Sequence, residues 1–373
     1  MQLKLFTVKK RVFGHFPWAL FFALLLWLTI GLVNLYSATY RVNDPGMAPL
    51  FKSQLLWVAL GLVLLFLVTL IDYHFLEEWA YPLYALSLVL LGLVFVAGRS
   101  VAGQQNWVVL GGISFQPSEI AKLCFIFALS KFYSSHSTQK KYHLKNLIQP
   151  LLLLLPPILL VILQKDLGGS LFFILLFSTL TFFMKIPLKY FVVAGLVSAV
   201  MAVGAYHFVL KPYQKDRVRV FLNPEKDAKG KGYHLVQSKI AVGSGEWFGK
   251  GYLKGTINKL KYLPERHTDF IFPVLAEEWG LLGAGVTLLI MAFFILSGLE
   301  SASHTKEPFG ALLSLGVIAL FFWHIVINLG GVLGLMPLTG VPLPLLSYGG
   351  SSILTMLVAV GILFNVRMRR FTF

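Results

Sequence analysis

Repeated apolar runs of about 20 residues constrain this 373-residue chain more than any other feature. A helix of that length crosses the hydrocarbon core of a bilayer, where every backbone polar group must be satisfied within the segment. Ten such runs can be placed, at roughly 16–38, 52–71, 78–97, 116–133, 146–163, 167–184, 188–210, 270–298, 309–331 and 345–366. The expected fold is therefore an all-α polytopic membrane protein, a single integral membrane domain over residues 1–373 with ten transmembrane helices. Charged residues make up only 13% of the chain, about half of what a soluble domain carries. Net charge is +16, yet no basic helix or aromatic-basic alternation points to nucleic acid. The single cysteine, Cys124, excludes both a disulfide framework and a cysteine metal site.

The flanking charges orient the spans. Lys4, Lys9, Lys10 and Arg11 precede a first run that is too long for a signal peptide, so it reads as an uncleaved span with a cytoplasmic N-terminus. An even number of spans returns the C-terminus to that side, in agreement with Arg367, Arg369 and Arg370. Lys140, Lys141 and Lys145 fall on the same side, as do Lys185, Lys189, His304 and Lys306. One large loop, about 211–269, then faces outward with thirteen Lys/Arg against six Asp/Glu. Helical spacing around Leu235–Val242 predicts an amphipathic helix lying on the membrane. Pro150, Pro156 and Pro157 should interrupt the fifth span, and the glycines and prolines from Gly330 to Pro344 should break the stretch before the tenth, ordinary kinking being the alternative for each.

Pro264–Phe272 gathers a carboxylate, an imidazole, a guanidinium and a hydroxyl directly before an apolar run. Charge at the lip of a membrane helix loses hydration, which makes the cluster a candidate site. Desolvation would raise the basicity of Asp269 and its basic neighbours would lower it. The residue suits a general base, or equally the N-cap of the eighth helix. Arg217, Arg219 and Lys239 could grip phosphate, or could form a solvated basic face. Trp107 could belong to the aromatic belt or to a site on the outer side. Glu119 and Lys122, at i and i+3, can pair inside the bundle for structural or functional ends. Asp166 is a turn residue or part of the same site, and Glu277 lies about two turns inward from Asp269 on the same face. No histidine spacing makes a zinc site.

Several stretches carry a resemblance. Leu338-Thr339-Gly340-Val341-Pro342-Leu343-Pro344-Leu345-Leu346-Ser347-Tyr348-Gly349-Gly350-Ser351-Ser352 is one, and Phe115-Gln116-Pro117-Ser118-Glu119, Phe221-Leu222-Asn223-Pro224 and Pro264–Phe272 are the others. Together they resemble the shape, elongation, division and sporulation (SEDS) family over nearly the whole chain. Gly232-Tyr233-His234, Gln237-Ser238-Lys239-Ile240-Ala241 and Glu265-Arg266-His267-Thr268-Asp269 are closer to the elongation branch than to the division branch.

The resemblance implies a peptidoglycan glycosyltransferase of the bacterial plasma (inner) membrane, polymerising lipid II with Asp269 as catalytic residue. His267, Thr268, Ser347, Gly349 and Gly350 join the substrate-binding set through these motifs, and Trp107 moves into it. The implied partner is a class B penicillin-binding protein of the elongation type. A divalent cation, Mg or Mn, could assist on the leaving pyrophosphate. This chain departs from the family pattern at Asn106, where an arginine is usual, at Lys165 and Gly169 around Asp166, and at Glu246, where a glycine is usual. A lipid II flippase and a non-catalytic scaffold remain the competing classes. The basic outer loop and a carboxylate on one face count against a carrier, as does the lack of a visible inverted repeat.

Overall fold

The computed structural model describes residues 15–40, 48–101, 104–110, 113–136, 147–184, 186–193, 195–197, 204, 215, 219–224, 230–256 and 265–370. Within them lie α1 (Trp18–Thr39), α2 (Ala48–Leu70), α3 (Tyr73–Glu78) and α4 (Ala80–Ala97). Strands β1 (Gly98–Val101), β2 (Gln104–Leu110) and β3 (Ile113–Phe115) come next. Helices α5 (Pro117–Ser135), α6 (Ile148–Leu163), α7 (Leu167–Phe183), α8 (Lys231–Ser244), α9 (Ile271–His304), α10 (Pro308–Val332) and α11 (Gly350–Arg369) complete the described elements. Six helices among the described residues, α1, α2, α4, α9, α10 and α11, are long and apolar enough to cross a membrane. Helices α6 and α7 are apolar but shorter. The expected span 188–210 and the loop 211–269 lie partly outside the described residues.

Local chemistry explains where the helices start. Pro117 and Pro308 occupy first-turn positions, where a missing amide costs nothing. Asp72, Asp166 and Glu307 accept amide protons at the N-termini of α3, α7 and α10. Pro156 and Pro157 sit inside α6 without ending it. The stretch from Leu333 to Gly349 is irregular, as its glycines and prolines predict, and Val341, Leu343, Leu345, Leu346 and Ser347 are nonetheless buried.

Three features differ from the sequence reading. The first is a small antiparallel sheet in order β1-β2-β3, an addition to the all-helical expectation. Arg99 pairs with Trp107 and Val108 with Phe115. Gly111-Gly112 between two short runs is the hairpin signal that points to it.

The second concerns α9, which is not one helix but two. Gly280 has φ 67° and ψ −168°, a conformation essentially open to glycine alone. A break at membrane depth must be satisfied by protein, and the loop after α8 does this. Lys250 and Gly251 amides donate to the Glu277 and Glu278 carbonyls, each at 3.0 Å. Leu281 and Leu282 amides donate to the carbonyls of Glu246 and Trp247 at 2.7 and 3.1 Å.

The third is α8. One of its faces, Leu235, Ser238 and Ala241, is buried against protein, and the Ser238 hydroxyl donates to the Val332 carbonyl at 2.7 Å, while Ile240 on the helix stays exposed.

Candidate functional site

Residues 265–271 enter α9 from the polar side, and their backbone is held from four directions. The Tyr348 amide donates to the His267 carbonyl at 2.8 Å. The Ser347 hydroxyl donates to the Thr268 carbonyl at 2.7 Å, and the Asn328 side-chain amide to the Asp269 carbonyl at 3.0 Å. Asn34 of α1 donates to the Ile271 carbonyl at 3.0 Å. Arg266 is fully buried, with its Nε on the Ala38 carbonyl at 2.8 Å. Its charge therefore ties α1 to this turn. Three consecutive carbonyls, from His267 to Asp269, are thus taken by donors from other elements.

Asp269 is half-buried, and it does not cap α9. The N-cap position is Phe270, and no side chain caps it. The carboxylate faces the 338–349 segment, where a Cβ on Gly340 would lie 3.4 Å from Oδ2. Gly340 has φ +74°, so a larger residue there would meet both conformational strain and the carboxylate. His267 lies beside it with its ring centroid 6.0 Å from that of Tyr348 and its buried Nδ1 lacking a partner. Burial holds the His267 pKa below the ordinary imidazole value, with Arg266 acting in the same direction and Glu265 against it. Thr268 Oγ1 donates to Glu265.

The other motif residues divide into those that build this wall and those that do not reach it. The Ser347 hydroxyl, besides its bond to Thr268, accepts from the Leu343 amide at 2.8 Å, so it is a structural tie. Gln54 of α2 clamps the same turn, donating to the Ser347 carbonyl and accepting from the Gly349 amide, both at 3.2 Å. Gly350 is small because Trp57 lies against it: a Cβ there would come within 2.7 Å of the indole. Asp166 is buried, caps α7 through the Gly169 amide at 2.7 Å, and accepts from Asn106 at 3.2 Å. This bond joins the strand bearing half-buried Trp107 to the α6–α7 turn. That turn in turn meets the 338–349 segment, since a Cβ on Gly168 would lie 3.0 Å from the Thr339 carbonyl. Trp107, Asp166, Gly340 and Asp269 are therefore linked by one chain of contacts.

Glu277 does not join this group. Its carboxylate accepts from Lys250 at 2.7 Å and from the Thr256 amide at 2.9 Å, because the break at Gly280 draws the loop over that face. Its neighbour Glu278 is buried likewise, accepting from Ser37 at 2.6 Å and from the Leu253 amide. Glu119 and Lys122 pair at 2.8 Å, enclosed in the bundle, where the Lys122 ammonium also reaches His324 Nε2 at 3.1 Å and lies 4.4 Å from the Phe172 ring. Lys239 is exposed on α8, its stem against Gly334. Arg219 is exposed on a short helical turn, and Arg217 lies outside the described residues. An apolar groove of about 670 Å³ opens between α8 and α9, lined among others by Val242, Trp247, Phe272, Ala276, Ala284 and Leu288.

Among the described residues, no three His, Cys, Asp or Glu side chains gather to hold a metal ion. Asn328 and Gln54 escape sequence reasoning, although each is a lone amide in an apolar helix. An uncharged polar residue inside a membrane segment is a recognisable signal of a buried tie.

A family profile for the FtsW, RodA and SpoVE cell cycle proteins matches residues 17–371. The chain is 38% identical over 294 residues to the peptidoglycan glycosyltransferase MrdB of Escherichia coli K12, covering 79% of each. A chain of a solved peptidoglycan synthase complex, described as coordinating polymerization and crosslinking, superposes with a TM-score of 0.84 at 33% identity, covering 96% of this chain and 99% of that one. The rod shape determining protein RodA of Thermus thermophilus superposes with a TM-score of 0.72 at 31% identity, covering 95% of this chain and 98% of that one.

Proposed function

This chain belongs to the FtsW, RodA and SpoVE family, and on that premise we propose that it is a peptidoglycan glycosyltransferase that polymerises lipid II with Asp269 as general base. The observation that carries the reading is the restraint of the His267, Thr268 and Asp269 carbonyls by donors from three other positions. A base must be held within hydrogen-bond reach of the proton it removes, and fixed geometry contributes more to rate than basicity alone.

In the proposed reaction the 4-hydroxyl of a GlcNAc residue on one lipid II attacks C1 of the lipid-linked MurNAc of the other. Asp269 takes the hydroxyl proton as the new C–O bond forms. The bond from C1 to the pyrophosphate oxygen breaks, and undecaprenyl pyrophosphate leaves with its electron pair. A single displacement inverts C1 and gives a β-1,4 linkage. Positive charge near the leaving group would stabilise the developing anion, a role suited to Arg217, Arg219 and Lys239. A divalent cation, Mg or Mn, could assist on the leaving pyrophosphate, since such an ion needs only one or two carboxylates beside the phosphates. The apolar groove that reaches Phe272, three residues from Asp269, would suit a polyprenyl tail. Of the residues assigned to substrate by motif, His267, Thr268 and Trp107 retain that role in this reading, while Ser347, Gly349, Gly350 and Asp166 shape the wall.

The proposed topology keeps ten spans, an outward loop at about 211–269 and both termini in the cytoplasm of a bacterial cell, with the chain in its plasma membrane. The likeness to a chain of a synthase complex supports a crosslinking partner of the class B penicillin-binding type. The test is polymerisation of purified lipid II. Asp269→Asn should leave a folded protein whose rate is lower by at least about 100-fold, and unchanged polymerisation by that variant would refute the assignment.

A further inference from the structure

We infer that Asn328 is a positioning residue for the transfer reaction, holding the general base and the wall that faces it in a fixed relation. The inference rests on the assignment of Asp269 as base. Asn328 lies on α10, a 25-residue apolar helix, and is only 4% exposed. A primary amide has two N–H donors. Here both go to main-chain carbonyls on separate segments, Asp269 at 3.0 Å and Val341 at 2.7 Å. Val341 directly follows Gly340, whose backbone abuts the Asp269 carboxylate. One side chain therefore fixes the main chain that carries the base and the main chain the base looks at.

Few other side chains could do this. Serine has a single hydroxyl proton, leucine has none, and aspartate would set a carboxylate against two carbonyl oxygens. The platform beneath is itself fixed. One turn earlier on α10, His324 Nδ1–H donates to the Leu320 carbonyl at 2.7 Å while its Nε2 meets the Lys122 ammonium at 3.1 Å. Of the two Asn328 bonds, the one to Val341 is buried and the one to Asp269 part-buried, so water competes weakly with them. Losing them would free the two segments to shift independently, and a displacement of about 1 Å at a reacting group can cost on the order of 100-fold in rate.

The experiment compares Asn328→Leu, Asn328→Ser, Asp269→Asn and a control, Asn365→Leu, each as full-length purified protein. Asn365 is an equally buried amide that also binds main-chain carbonyls, at the far end of α11. Lipid II polymerisation is measured as kcat and KM per folded molecule, with thermal unfolding alongside. Asn328→Leu should lose about 100-fold in kcat, with KM changed by no more than about 3-fold. Asn328→Ser, keeping one donor, should lose about 10-fold. Asn365→Leu should lower the unfolding midpoint and leave kcat unchanged. If Asn328→Leu yields no folded protein, Asn328→Ser carries the test. Unchanged kcat in the Asn328 variants, or a loss confined to KM, overturns the inference while an inactive Asp269→Asn leaves the base assignment standing. An active Asp269→Asn overturns the assignment and the inference with it.

Discussion

Helices α2 and α11 run side by side, and the two ends of this pair use polar groups in opposite ways. At the end near residue 70, side chains are consumed in closing the helix. Asn365 donates to the carbonyls of Val68 at 2.7 Å, Thr69 at 3.4 Å and Ile71. Arg369 donates to Thr69 and Leu70, each at 3.1 Å, and to Asn365 Oδ1 at 2.6 Å, with Asp72 at 3.7 Å. At the other end, near Gln54 and Gly349, the restraint falls on the backbone of 267–269 and comes from neighbours. The first arrangement terminates a helix. The second fixes a segment through its main-chain carbonyls. Both ends are rich in polar residues, so what separates structure from chemistry is which group donates and which is held.

The largest effect expected from breaking this comparison is at the closing end. Arg369→Met removes donors from two helix-terminal carbonyls and from Asn365, and should destabilise the protein by about 3 kcal/mol. Thermal unfolding measures it, with polymerisation per folded molecule expected to stay at the parent rate. A fall in that rate would mean the two ends are coupled and the contrast is wrong.

A smaller effect tests strain in the loop that clasps the break at Gly280. Glu246 has φ 47°, left-handed for a residue with a Cβ. Glu246→Gly relieves the strain at the cost of some chain entropy, for a net gain of about 0.5–1 kcal/mol. The bond from the Leu281 amide to the residue 246 carbonyl survives, since it is main-chain. A lower unfolding midpoint in this variant would show that the glutamate side chain contributes to the clasp.

The smallest effect is expected from pH, since it moves one proton at each end, but it has opposite signs. His267 has its pKa lowered by burial from the model-peptide value of 6.5. The unfolded chain therefore binds that proton more readily, and stability at this end falls as pH drops below about 6.5. His74 has its pKa raised, first by its hydrogen bond to Asp72 at 2.7 Å. Its contribution is complete below about 6.5 and fades as pH rises through the folded value. Hydrogen exchange of the two segments across pH 5–8 should therefore show protection moving in opposite directions. Parallel movement would remove this distinction between the ends.

Much of the architecture was legible in the chain. Apolar run length located the six described helices that are long enough to cross a membrane, and the glycine-proline stretch located the irregular segment from 333 to 349. The i, i+3 spacing paired Glu119 with Lys122. The fate of Glu277 was not legible, because counting turns from Asp269 could not include Lys250 and Thr256, which a separate loop brings onto its carboxylate. Nor were the partners of Asn328, Gln54 and Asn34, each of which binds carbonyls brought close only by packing.

By itself, the sequence determined which segments leave water and where charge is held at their edges, because transfer free energy adds up residue by residue along a contiguous run. Only the tertiary structure decided which carbonyls the polar side chains are bound to, as Asn328, Gln54 and Asn34 show. A buried hydrogen bond depends on the distance and angle between two groups, and neighbours along the chain do not set these for groups hundreds of residues apart.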